Sequence, residues 1–138
     1  MLSTMMTMFT DPWLSRWLPL IAQATNGGPL LEIGCGSGAD TSELIRSGLQ
    51  VVAFDLSPAA VQAARRAAPS ASITVQSVTD PFPLEGTGLG AVIASLSLHY
   101  FTWAQTIGIA ARIHSTLKPG GLFLCRLNSS EDKNFGSA

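Results

Sequence analysis

Apolar residues in this chain gather into short unbroken runs rather than alternating with polar ones. Leu30-Leu31-Glu32-Ile33, Val51-Val52-Ala53-Phe54, Ile73-Thr74-Val75, Ala91-Val92-Ile93-Ala94 and Leu122-Phe123-Leu124-Cys125 are such runs. Short continuous runs of this kind suit strands covered on both faces, as in a parallel sheet. Helical segments separate them. Asp11-Pro12 opens a short helix whose stripe is Trp13, Leu14, Trp17 and Leu18, and Pro19 is expected to kink or end it. Asn26-Gly27-Gly28-Pro29 is a loop. A helix is expected from Ala39 to Ser47, with Leu44 and Ile45 inward and Gly48 closing it. Ser57-Pro58 caps another from Ala59 to Ala68, with Arg65 and Arg66 toward water. Pro81-Phe82-Pro83 breaks the chain. Trp103, Ile107, Ala110, Ile113 and Leu117 then recur at helical spacing, until Lys118-Pro119-Gly120-Gly121 stops the helix.

Strand and helix alternate with short connections and no internal repeat, which predicts an α/β fold, a three-layer α/β/α sandwich in one domain. Its expected parts are an N-terminal helical cap at 1–28, a core at 29–128 and a polar tail at 129–138. With 46% apolar and 12% charged residues, the 138-residue chain can fill a core. Eight Lys and Arg against nine Asp and Glu leave a net charge of −1, with no basic block to neutralise nucleic-acid phosphates. No run approaches the roughly eighteen apolar residues of a membrane span, and the Met-rich start lacks the charges of a secretory signal. Cys35 and Cys125 show neither metal spacing nor a CxxC motif, so two free thiols in a reducing cytoplasm are expected. Cys35 should contribute its backbone, and Cys125 should be core.

The chemistry concentrates where the first, second and fourth strands end, the place where ligands bind in such sheets. Gly34, Gly36 and Gly38 alternate, letting the chain turn tightly and a ligand press on bare backbone. Asp55 follows Gly34 by 21 residues, at the end of the neighbouring strand, where a carboxylate can accept both hydroxyls of a ribose. Gly34-Cys35-Gly36-Ser37-Gly38-Ala39 also satisfies the GxGxxG/A dinucleotide pattern, so the glycines leave a nicotinamide-dependent oxidoreductase open. Glu32 weighs against that alternative, because a carboxylate there can bind a cationic amino acid moiety but would repel a pyrophosphate. Blander roles stand beside these: Asp55 as a cap for the helix at Pro58, and Glu32 as a surface residue at a strand end. His99 is either a group that orients an acceptor or takes its proton, or a hydrogen-bonded structural histidine. His114 reads as surface, and Trp13 and Trp17 as packing more than as a substrate cage.

Leu31-Glu32-Ile33-Gly34-Cys35-Gly36-Ser37-Gly38, Phe54-Asp55-Leu56-Ser57, Leu98-His99-Tyr100 and Lys118-Pro119-Gly120-Gly121 together resemble successive motifs of class I S-adenosylmethionine-dependent methyltransferases. The similarity runs from about Pro29 to Asn128. It implies a Rossmann-like, doubly wound parallel sheet of about five strands in the order 3-2-1-4-5. The implied reaction is in-line transfer of a methyl group to an acceptor, here a small molecule, needing neither metal nor enzyme nucleophile. The resemblance further implies that Glu32 and the turn of Gly34, Cys35, Gly36 and Gly38 hold the methionine part of the cofactor. Asp55 would hold the ribose and Leu56 would pack on the adenine. Ser77 and Val78 fall where the family usually places an adenine-binding Asp, and the Val78 amide can still serve the ring. Ser95, at the end of the fourth strand, completes the cofactor-binding candidates. Leu89-Gly90 replaces a usual Phe-Asp. The family's terminal antiparallel hairpin is expected to be missing, leaving the edge of the fifth strand open to self-association. A non-catalytic cofactor-binding domain is therefore a further alternative.

Overall fold

β1 (Pro29–Ile33) lies at the centre of a parallel sheet, pairing with β2 (Gln50–Asp55) on one side and β4 (Leu89–Leu96) on the other. β3 (Ser72–Val75) extends the sheet beyond β2, and β5 (Leu117–Leu127) extends it beyond β4. The strand order is β3-β2-β1-β4-β5, as the resemblance implies. The computed structural model describes residues 12–96 and 101–127. A 3-10 turn, Pro12–Trp17, leads into α1 (Leu18–Thr25). The crossover helices are α2 (Ala39–Arg46), α3 (Pro58–Ala67) and α4 (Trp103–Thr116).

Successive strand residues point to opposite faces, which divides the core in two. Leu30, Val51, Ala53, Ile73, Ala91 and Ile93 meet Ile21, Leu44 and Val61 from α1, α2 and α3. Leu31, Ile33, Phe54, Val92 and Ala94 meet Ile109 and Ile113 of α4, together with Phe82. Helices therefore cover both faces, and the three expected layers are present. Trp13 and Trp17 pack against the first cluster.

Several expectations are corrected. Pro19 does not end the helical segment but stands in the first turn of α1, where its missing N–H leaves no bond unmade. The α4 stripe is rotated: Trp103 is 77% and Ile107 51% exposed, and the buried row is Ile109, Ile113 and Thr116. Thr116 conceals that row because its side chain is polar. Its hydroxyl donates to the Arg112 carbonyl at 2.8 Å, so it can be buried at little cost. Arg65 is exposed as expected, and it also donates through Nε and Nη2 to the carbonyl of Ile73. Lys118 to Gly121 do not precede β5 but bulge out of it, because Leu89 pairs with Leu117 while Ala91 pairs with Leu122. Cys125 is exposed rather than core, since β5 is the outer strand of the described sheet.

The Leu89-Gly90 departure has a packing reason. A Cβ at Gly90 would fall 2.1 Å from the carbonyl oxygen of Ala24, at the end of α1. Glycine there lets α1 lie directly against β4. Gly90→Ala should therefore cost about 2–3 kcal/mol or more, since backbone cannot yield as a side-chain tip does. Urea denaturation checks this, and an unchanged midpoint would mean that α1 moves away freely.

Candidate cofactor cleft

The turn after β1 is set by close approaches. A Cβ at Gly34, where φ is +75°, would fall 2.5 Å from the carbonyl oxygen of Ser95 at the end of β4. The amides of Gly34 and Cys35 both donate to the Phe54 carbonyl of β2, at 2.9 and 3.1 Å. The turn is thereby pulled over the tips of both neighbouring strands. Gly36 has a φ of +55°, and a Cβ there would meet nothing within 4 Å. Its bare backbone faces open space, as a ligand cradle requires. Gly38 precedes α2, donating to the Cys35 carbonyl at 3.1 Å.

Asp55 ties the turn to β2. Its Oδ2 accepts from the Gly36 amide at 2.8 Å and its Oδ1 from the Ser57 amide at 3.0 Å. The helix-capping role belongs instead to Ser57, whose hydroxyl accepts from the Ala60 amide at 3.2 Å. Each Asp55 oxygen still has acceptor capacity, and the rotamer is fixed by two bonds.

These elements enclose a cleft of about 450 Å³ at the carboxyl ends of the strands. Six of the expected residues line it: Gly34, Asp55, Leu56, Ser77, Val78 and Ser95. Leu56 is 70% exposed, an apolar side chain open to cover. Ser77 and Val78 belong to a tight turn in which Ser77 Oγ accepts from the Thr79 amide and the Asp80 carboxylate from the Ser77 amide. Gln76 and Phe101 also line the cleft and were not foreseen. Both lie just past strand or loop at the same rim, Gln76 directly after β3 and Phe101 directly before the Thr102 cap of α4. Position at the rim was the signal that could have found them. Glu32, Cys35, Gly36 and Gly38 are not among the residues lining this cleft. His99 lies outside the described residues.

Glu32 is buried, 3% exposed, and its Oε1 accepts from the Thr41 hydroxyl of α2 at 2.6 Å. It alternates with Leu31 and Ile33, so it points to the face covered by α2. Burial pushes its carboxyl up to about 8; the Thr41 bond opposes this, while the charges of Asp40 and Asp55 add to it. Asp40 in turn accepts from the Trp13 indole at 3.2 Å. The Cys35 thiol is pushed up to about 12, by burial first and then by Glu32 and Asp55, which makes it a poor nucleophile at neutral pH.

Residues 30–121 match the family described as methyltransferase domain. This chain belongs to that family. The methyltransferase domain is 37% identical over 107 residues to an uncharacterised methyltransferase of Synechocystis, covering 77% of this chain and 50% of that protein. Over 110 residues it is 36% identical to the ubiquinone biosynthesis O-methyltransferase of Xanthomonas campestris, covering 76% of this chain and 45% of that enzyme. The chain thus spans about half the length of the curated relatives it matches. The solved glycopeptide N-methyltransferase MtfA, complexed with sinefungin, is similar with a TM-score of 0.62 and 26% identity, over 78% of this chain and 51% of that one. No helix among the described residues is long and apolar enough to cross a membrane.

The Glu32 environment gives this methyltransferase domain a pH dependence. In the unfolded chain the carboxyl ionises from its ordinary 4.5, whereas the folded protein holds the proton up to about 8. Between those values the folded state binds more protons than the unfolded one, so stability falls as pH rises. Below 4.5 both states are protonated and nothing is lost; above about 8 the loss is complete. Glu32→Gln keeps the acceptor for Thr41 and should flatten this decline, gaining on the order of a few kcal/mol at alkaline pH. Urea melts across the range would check it. A variant that loses stability at every pH would show the carboxylate to be ionised and needed.

Proposed function

We propose that this chain binds S-adenosylmethionine in the cleft and supports methyl transfer to a small-molecule acceptor, in the cytoplasm. Membership of the family supports the reading, and the observation that carries it is Asp55. A carboxylate braced by the Gly36 and Ser57 amides stands in a cleft where Ile33, Phe54, Leu56 and Phe101 give apolar surface beside the polar Gln76, Ser77 and Ser95. Such a site suits a ligand with a flat apolar ring and a vicinal diol. The cofactor would supply a methyl group already activated on a sulfonium. The protein's part is then alignment and exclusion of water.

On this reading Asp55 accepts the ribose hydroxyls and Leu56 covers the adenine. The half-buried Val78 amide serves the ring edge; it has no acceptor among the described residues. Glu32 and the glycine turn serve the methionine end, where a cationic amine would favour the ionised form of the buried carboxyl. The 36% identity to a ubiquinone biosynthesis O-methyltransferase supports an acceptor of small-molecule size.

S-adenosylhomocysteine should bind in calorimetry and NAD should not. Asp55→Ala should weaken that binding by about tenfold or much more, since hydrogen bonds to a charged group contribute about 1.5–3 kcal/mol each. NAD binding without any response to S-adenosylhomocysteine would assign the cleft to a dinucleotide instead. Binding without methyl transfer to any acceptor would make this a cofactor-binding domain.

His99, four residues beyond Ser95, is the proposed group for orienting the acceptor and taking its proton. Its replacement by Ala should lower kcat by about 10²-fold or more and remove a limb of the pH–rate profile near neutrality. An unaltered profile would leave it a structural histidine.

A further inference from the structure

The wall of the cleft formed by Ser77 and Val78 belongs to neither strand nor helix: residues 76–88 are irregular throughout. Its local bonds close the turn on itself. The Asp80 amide donates to the Ser77 carbonyl at 3.1 Å, the Ser77 amide donates to the Asp80 carboxylate, and Thr79 bonds Ser77 Oγ. These bonds shape the turn but attach it to nothing else.

The Gln76 amide just before the turn donates to the Asp55 carbonyl at 3.0 Å and Val78 packs against the second core cluster; further attachment comes from α4. Arg112 of α4 donates through Nη1 to the Val78 carbonyl at 2.8 Å and through Nη2 to the Asp80 carbonyl. The same Nη2 lies 3.3 Å from Glu85 Oε1, which also accepts from the Phe82 amide. The guanidinium sits 4.1 Å from the centre of the Phe82 ring. Phe82, 4% exposed, is in turn 5.9 Å from the ring of Phe54 in the cleft wall. One cation thus holds the turn at two carbonyls and backs the ring beneath it.

We propose that Arg112 is a positioning residue for the cleft, fixing the Ser77–Val78 wall against which the adenine ring is read. The proposal rests on the function proposed above for that cleft. Arg112 is not among the residues lining the cleft, so it acts through the turn. The geometry calls for arginine specifically: a planar fork reaches two carbonyls while its face lies on an aromatic ring, and an ammonium can do only one of these at a time. The ion pair with Glu85 is secondary, because side chains 31% and 41% exposed gain little from their charges. With the Ser77 carbonyl bonded inside the turn, the trans peptide directs the Val78 N–H away from it. Holding the turn therefore aims that donor.

The test uses the whole chain and the variants Arg112→Gln, Arg112→Lys and Glu85→Gln. Calorimetry would measure adenosine and S-adenosylhomocysteine. Amide hydrogen exchange of the ligand-free proteins would follow residues 77–80 against β1 and β2. Arg112→Gln should weaken both ligands by about tenfold or more and accelerate exchange in the turn alone. Arg112→Lys should recover part of each loss, and Glu85→Gln should stay within about twofold of the wild type. Should the Gln variant not fold, the Lys variant gives the same comparison. Folded variants with wild-type affinity and unchanged exchange at 77–80 would overturn the proposal. So would acceleration spread evenly over β1 and β2, which marks a purely structural residue. If the unaltered chain binds neither ligand, the cofactor reading fails for the wild type, whereas unchanged exchange in the variants removes Arg112 on its own account.

Discussion

The glycine turn after β1, 19 residues back in the sequence, and the start of α3 are both tied to Asp55 at the end of β2. The glycine turn enters through the Gly36 amide, the start of α3 through the Ser57 amide, and β2 supplies the carboxylate itself. Both bonds have an anionic acceptor, which makes them stronger than neutral ones. The turn after β1 is also held to β2 by the two amides that reach the Phe54 carbonyl. The cleft exists because the turn is held down, and the turn can be held down because Gly34 has no side chain to strike Ser95. Charge and close packing thus act on the same few atoms.

Much of this was legible in the sequence because it rests on residue types with few alternative uses. Short apolar runs separated by helix punctuation gave the layers, and Gly34, Gly36 and Asp55 at their spacing placed the cleft between β1 and β2. What stayed hidden depended on partners that no local pattern names. Thr116 is polar and yet belongs to the buried row of α4, so the stripe read from Trp103 and Ile107 was turned away from the sheet. Cys125 is apolar enough for a core, but its strand is outermost. No local pattern singles out Arg112, since its acceptors are carbonyls 32 and 34 residues away.

The two faces of the sheet carry different duties. The face under α1, α2 and α3 holds the larger cluster, and Glu32 is buried there against Thr41. The face under α4 joins the sheet to the irregular segment that forms the cleft wall, through Phe82 and Phe54. Alternation along β1 sends Leu31 and Ile33 to one side and Glu32 to the other. A single strand therefore contributes both to the wall of the cleft and to the titrating group behind it.

Leu56 stands 70% exposed at the lip of the cleft. Water ordered around that side chain is released when any flat ring settles on it, and released hydration lowers the heat capacity of the complex. The heat released when a ring-bearing ligand enters this cleft is thus bound to temperature. Its binding enthalpy must grow more favourable on warming, while the free energy changes far less because entropy moves the opposite way.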